Sequence, residues 1–324
     1  MERRPRAWLA AALAGLLALS GGTAGARAQD NPAESLAQYQ SLDRVLQDTG
    51  WQLVTGNAPF CENAIPSVGL QLQDMRGYGD PDAVRSALGL SGDFAVATVA
   101  AGSPAEAAGL SRNEGVLRIA GQVADDWPAE AKGDWRRLKR AHDLIDAELA
   151  ENGFVTLTLA DGGDVKISAT QVCPTRFELL GDSERALAEG ERVLFGTGFP
   201  AFGYRADEFA AAVAHELAHN LLRHRAWLDA EGRKRTNVRL TEREADRLMP
   251  WLLANAGYEP AAALRFMQKW GPRHSGGILR KRTHDGWDER AEMIAAEIAL
   301  VGSHQSNAAG KADWSTNFRR ETGR

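Results

Sequence analysis

The spacing of hydrophobic positions changes along the chain. After an early apolar stretch and a helical run over residues 34–48, residues 67–173 carry short segments with apolar side chains at alternate positions. Five read as strands: residues 68–72, 94–99, 116–119, 154–159 and 165–168. Asp161-Gly162-Gly163-Asp164 reads as the hairpin turn between the last two. Ser103 caps a short helix over 104–108 that stops at Gly109, and a longer helix spans 135–149. From about residue 175 the period lengthens to that of helices, with one further strand at Arg192-Val193-Leu194-Phe195-Gly196-Thr197. Gly257 followed by Pro260 marks one helix stopping and the next starting, so Tyr258 reads as structural. The polar stretch 302–324 reads as a flexible tail. The pattern predicts an α+β chain of two domains, a small β-rich one at 61–173 and a helix-rich one at 174–301, preceded by a helical segment at 29–60.

Residues 1–28 have the layout of a secretory signal peptide: arginines first, an apolar run over 8–19, then small residues ending Ala26-Arg27-Ala28. The apolar run is shorter than the ~20 residues a membrane span needs, and no later segment reaches that length. The mature chain is therefore expected to be exported, to the periplasm or beyond, without a transmembrane span. Removing the leader, with Arg3, Arg4, Arg6, Arg27 and Glu2, leaves 34 basic against 42 acidic residues, a net charge of −8. Such an acidic chain is not built for nucleic acid. Cys61 and Cys173, the two cysteines, bracket the β-rich segment, and in an oxidising compartment one disulfide is the simplest reading, two buried thiols being the alternative.

The candidate chemistry lies in the helical half. Residues 206–224 read as a helix with Asp207 as its N-cap, and within it stands His215-Glu216-Leu217-Ala218-His219. Histidines four apart share a helix face, so both imidazoles can reach one Zn²⁺, and Glu216 projects beside them as a general base for an activated water. Chance alone gives H-E-x-x-H on an amphipathic helix in some long chains, so a third ligand is needed. Leu222 and Arg225 stand where a metzincin needs glycine and histidine. Downstream, Glu242 and Asp246 form E-x-x-x-D on a second helical run, with Glu242 as third ligand and Asp246 orienting a ligand histidine. Glu244 competes with Glu242 for the ligand role. Met249-Pro250 predicts a kink after this turn. His142 and His304 read as solvated, and His274 falls in a Gly/Arg-rich loop over 271–282.

Two resemblances attach to these residues. Residues 101–110, Ala-Gly-Ser-Pro-Ala-Glu-Ala-Ala-Gly-Leu, with a following strand and Ala120-Gly121, resemble the middle of a bacterial PDZ domain of the HtrA type, although Asn113-Glu114-Gly115 replaces the usual Gly-Asp. That resemblance implies binding of extended peptides by strand addition. Residues 206–214 before the zinc motif, His224 after it, 242–247, 256–260, Thr283-His284 and Arg290 resemble metallopeptidase family 48, which includes HtpX-like, BepA-like, Oma-like and CAAX-prenyl proteases. This implies a zincin-like fold holding one Zn²⁺ per chain on His215, His219 and Glu242, with polypeptide substrates, misfolded or envelope proteins among them. By the same resemblance His284 faces the metal, as oxyanion donor or as plug, with Arg290 supporting it, and strand 192–197 forms the cleft's upper edge. Asp285 stands where the family has proline. A zinc-stabilised chaperone or adaptor of the cell envelope with little proteolysis is the competing expectation, and the intact Glu216 weighs against it.

Overall fold

The computed structural model describes residues 32–131, 133–274, 285–307 and 311–323. The signal-like leader and His284 lie outside them. The chain is a mixed α/β protein whose small sheets are antiparallel in all pairings but one.

Helix α1 (Pro32–Asn57) leads into β1 (Ile65–Ser67), β2 (Leu70–Asp74), α2 (Pro81–Leu88), β3 (Phe94–Val99), α3 (Pro104–Ala107), β4 (Val116–Ile119), β5 (Gln122–Val123) and α4 (Arg136–Asn152). Strands β6 (Phe154–Leu159), β7 (Asp164–Ser168) and β8 (Thr170–Val172) follow. The expected alternation is realised in β6, where Val155, Leu157 and Leu159 turn inward. Sheet β5-β4-β6-β7 and the pair β2-β3 enclose an apolar core with Phe94, Val96, Ile119, Leu157 and Ile167, closed by Ile145 and Leu149 of α4. Gly162, at φ +87°, makes the β6–β7 turn, which any Cβ would strain. Ser103 caps α3 by accepting from the Glu106 N–H at 3.1 Å.

The first and last strands of this unit meet, β1 pairing with β8 from Ile65↔Val172 to Ser67↔Thr170. Beside them Cys61 and Cys173 form the expected disulfide, with Cα atoms 5.5 Å apart. Closing a loop across 112 residues stabilises by up to ~4–5 kcal/mol in the chain-entropy account.

The second half runs β9 (Arg176–Leu179), β10 (Ala186–Ala188), β11 (Arg192–Phe195), α5 (Ala206–Leu221), α6 (His224–Glu231), α7 (Arg235–Asn255), α8 (Ala261–His274), α9 (Trp287–Asn307) and α10 (Trp314–Asn317). Alanines 210, 211, 212, 214 and 218 of α5 are buried, and their small side chains allow α5 and α7 to approach closely. Leu248, Trp251, Leu252 and Leu253 fill the other side of that contact.

Several expectations need correction. Helix α1 extends well past residue 48, and Leu46, Trp51, Leu53 and Val54 place it in the core of the helical half. The chain end is not a frayed tail: α9 continues to Asn307, and beyond it Ala312, Trp314 and Phe318 return to the same core. Asn57 accepts from Trp314 Nε1 and from Asn255 Nδ2, both at 3.0 Å, while Asn255 exchanges two 2.8 Å hydrogen bonds with the Ala312 backbone. Two apolar anchors and a satisfied polar knot outweigh the polar composition that suggested fraying. Strand β11 is central in the order β10-β11-β9, so it offers no free edge. Asp207 is not the N-cap of α5; it lies inside the first turn and accepts from Arg265 at 2.6 Å. Helix α7 runs through Pro250 to Asn255.

Candidate metal centre

Helix α5 carries His215, Glu216 and His219, and α7 packs beside it with Glu242 and Asp246. The close α5–α7 approach turns two distant motifs into one cluster. His215 Nε2 and His219 Nε2 lie 3.2 Å apart, and Glu242 oxygens stand 3.4 Å from the first and 3.6 Å from the second. Among the described residues this trio is the one group of histidine, cysteine and carboxylate side chains whose ligand atoms all fall within 4.8 Å of one another. Their side chains are only 12%, 14% and 18% exposed, so the cluster is largely desolvated.

Each histidine has a buried neighbour at its far nitrogen. His215 Nδ1 lies 3.1 Å from Asp246 Oδ1, and Asp246 is itself gripped by Arg290 of α9 through two contacts, one of 2.7 Å. His219 Nδ1 meets His224 Nδ1 at 2.9 Å, and His224 Nε2 meets Glu244 at 2.9 Å. Glu244, the competing ligand, is fully buried and faces away from the trio. Its oxygens take Arg320 at 3.1 Å, the Thr322 N–H at 2.7 Å, the Thr322 hydroxyl and the Glu321 N–H.

Burial sets the electrostatics. It drives the Glu216 carboxyl up to about 7, with Glu242 adding to the rise against His215. It pulls His219 down to about 3. For His215 burial acts the same way, but the Asp246 and Glu242 carboxylates outweigh it and raise the imidazole to about 10. Burial would also raise Glu244, but His224, the Thr322 N–H and Arg320 hold it down at about 2. Two imidazole nitrogens and a carboxylate oxygen thus face one another within 4.8 Å. A tetrahedral Zn²⁺ taking two imidazole nitrogens and one carboxylate oxygen would satisfy all three and keep a fourth position open. The donor set therefore fits one zinc ion. No known family model matches the chain, and no curated protein matches it.

The structure brings His215, Glu216, His219, Glu242, Asp246 and Arg290 together. Arg290 meets Asp246 rather than a described histidine. Asp285, next in sequence to His284, is anchored by Arg239 at 3.4 Å and by Arg243, residues flanking Glu242 on α7. The sequence reading carried Glu244 only as a rival ligand and His224 only as part of the family-like pattern, and gave neither an orienting role. His224, five residues after His219, is the signal that pointed to them.

Other histidines differ from expectation. His142 is half-buried, accepts from the Leu72 N–H at 3.4 Å and is pulled to about 3 by burial. His304 stands over Trp251 with ring centres 5.3 Å apart. His274 stacks on Trp270 at the end of α8.

Proposed function

We propose that this chain is an exported zinc metalloendopeptidase of the metallopeptidase family 48 type, a PDZ-like unit at 61–173 preceding a zincin-like unit at 174–301. The observation that carries this reading is the convergence of His215, His219 and Glu242 beside an unpartnered Glu216. Among the described residues nothing hydrogen-bonds the Glu216 carboxyl, and a general base needs that freedom.

A zinc ion held by the three ligands would supply Lewis acidity, acidifying a water and polarising a peptide carbonyl. The chain's residues do the rest. Glu216, with an affinity for protons centred near neutrality, takes a proton from the attacking water and returns it to the leaving amine. Asp246, kept ionised by Arg290, fixes the ring of His215. His284 is assigned by resemblance to the oxyanion, where a donor opposing the metal has most effect. Polypeptides are the substrates, misfolded or envelope proteins by family analogy alone, and the PDZ-like unit would hold an extended segment by strand addition. Among the described residues no helix is long and apolar enough to cross a membrane, and the signal-like leader supports a periplasmic location.

Casein cleavage by the purified chain tests the reading, with Glu216→Gln alongside. An endopeptidase cleaves as wild type and loses ~10²–10⁴ in rate as the variant while keeping its metal. Metal binding without cleavage by either protein would favour the adaptor.

A further inference from the structure

The support behind His219 is built differently from that behind His215, and its far end is the C-terminal segment. Helix α5 ends at Leu221, and Arg223 then takes a left-handed conformation at φ +56°, a costly choice for a side chain other than glycine. The reversal starts α6 at His224 and returns that ring to His219, with centroids 4.9 Å apart. His224 is 1% exposed and Glu244 is 0% exposed, so neither exchanges its partner for water.

The Glu244 oxygens accept from the Glu321 and Thr322 N–H groups and from Arg320, so in the 2.9 Å contact His224 Nε2 is the donor. With its Nε2–H turned to Glu244, His224 offers Nδ1 as the acceptor across the 2.9 Å contact, which matches a His219 that carries its hydrogen on Nδ1. In that tautomer the His219 Nε2 lone pair faces His215 Nε2 at 3.2 Å and Glu242 at 3.6 Å, as a metal ligand's must. Glu244 can hold this role because residues 320–322 saturate its other lone pairs: the Glu321 and Thr322 N–H groups, the Thr322 hydroxyl and Arg320. Arg320 also donates to the Leu222 carbonyl at 2.9 Å, pinning the end of α5.

We propose that His224 and Glu244 are positioning residues for the ligand His219, and that the C-terminal segment 320–322 is the strap that locks them. The inference rests on the zinc reading above. It makes the metal site depend on residues 77 and 78 positions beyond Glu244.

The test compares wild type with His224→Phe, which keeps a ring and removes both nitrogens, and with Arg320→Ala, which loosens the strap at a partly exposed position. Zinc affinity is read by chelator competition, ligand geometry by the visible spectrum of the Co²⁺-substituted protein, and folding by circular dichroism. Orienting partners of metal ligands are worth about 10–100-fold in affinity. His224→Phe should lose that much and shift the cobalt spectrum, and Arg320→Ala should lose about threefold or more. A folded His224→Phe with wild-type affinity and an unchanged spectrum overturns the proposal. If His224→Phe does not fold, Arg320→Ala decides: wild-type affinity there overturns it. Absence of metal binding by wild type would instead sink the zinc reading itself.

Discussion

Each half of the molecule buries charge, and the two clusters do different things with it. In the β-rich half Arg137 is 2% exposed and lies 3.3 Å from Asp74 and 3.1 Å from Asp93, with Arg76 and Arg85 closing on Asp93 from outside. The charges there face one another and reach no histidine, although Asp74 Oδ2 and Arg137 Nε are buried with no hydrogen-bond partner among the described residues. In the helical half the Asp246–Arg290 and Glu244–Arg320 pairs each pass on to a histidine, and the two histidines end on a shared gap with Glu242. Buried charge alone does not mark a functional site. What distinguishes the helical cluster is that its partners lead to three side chains whose potential ligand atoms all lie within 4.8 Å of one another.

The comparison can be broken most strongly at Arg137. Its replacement by Met leaves Asp74 and Asp93 buried beside each other, which costs ~3–5 kcal/mol. Urea unfolding should register that loss, while zinc affinity of the folded fraction stays at the wild-type value. Asp246→Asn should behave oppositely: zinc affinity, measured by chelator competition, falls about 10–100-fold. A large stability loss with unchanged metal affinity would place Asp246 in the same class as Asp74.

The β-rich cluster also predicts a pH dependence of its own. Burial raises Asp74 from 3.8 to about 6, against the pull of Arg137. The folded state therefore holds a proton that the unfolded state has released between those values. Stability from this group is fully present below 3.8 and is lost as pH rises through about 6. Relative to Asp74→Asn, wild type should gain on the order of 1–2 kcal/mol between pH 7 and pH 4. Denaturant midpoints of both proteins across that range would show it, and parallel curves would contradict it. At the small end, the Lys139–Asp143 pair has both side chains more than half exposed. Lys139→Ala should move stability by less than ~0.5 kcal/mol, which sets the scale for surface charge in the same unit.

Local pattern carried much of this structure. Strands β3, β4 and β6 have the bounds that alternation predicted, and the H-E-x-x-H and E-x-x-x-D spacings put five site residues where α5 and α7 meet. What stayed illegible depends on distant contacts. Strands β1 and β8 are three residues each, too short for a period, and exist because the disulfide and their mutual pairing bring the ends of one unit together. Glu242 and Glu244 are two residues apart on one helix and chemically alike. Only the return of residues 320–322 to Glu244 separates ligand from anchor. The polar composition around Trp314 and Phe318 concealed that return, since two apolar side chains carry no detectable period.

The most direct test pairs zinc content with casein cleavage on purified wild type and Glu216→Gln. The account predicts one zinc per chain in both proteins and cleavage by wild type alone. A wild-type protein that binds no zinc would contradict it.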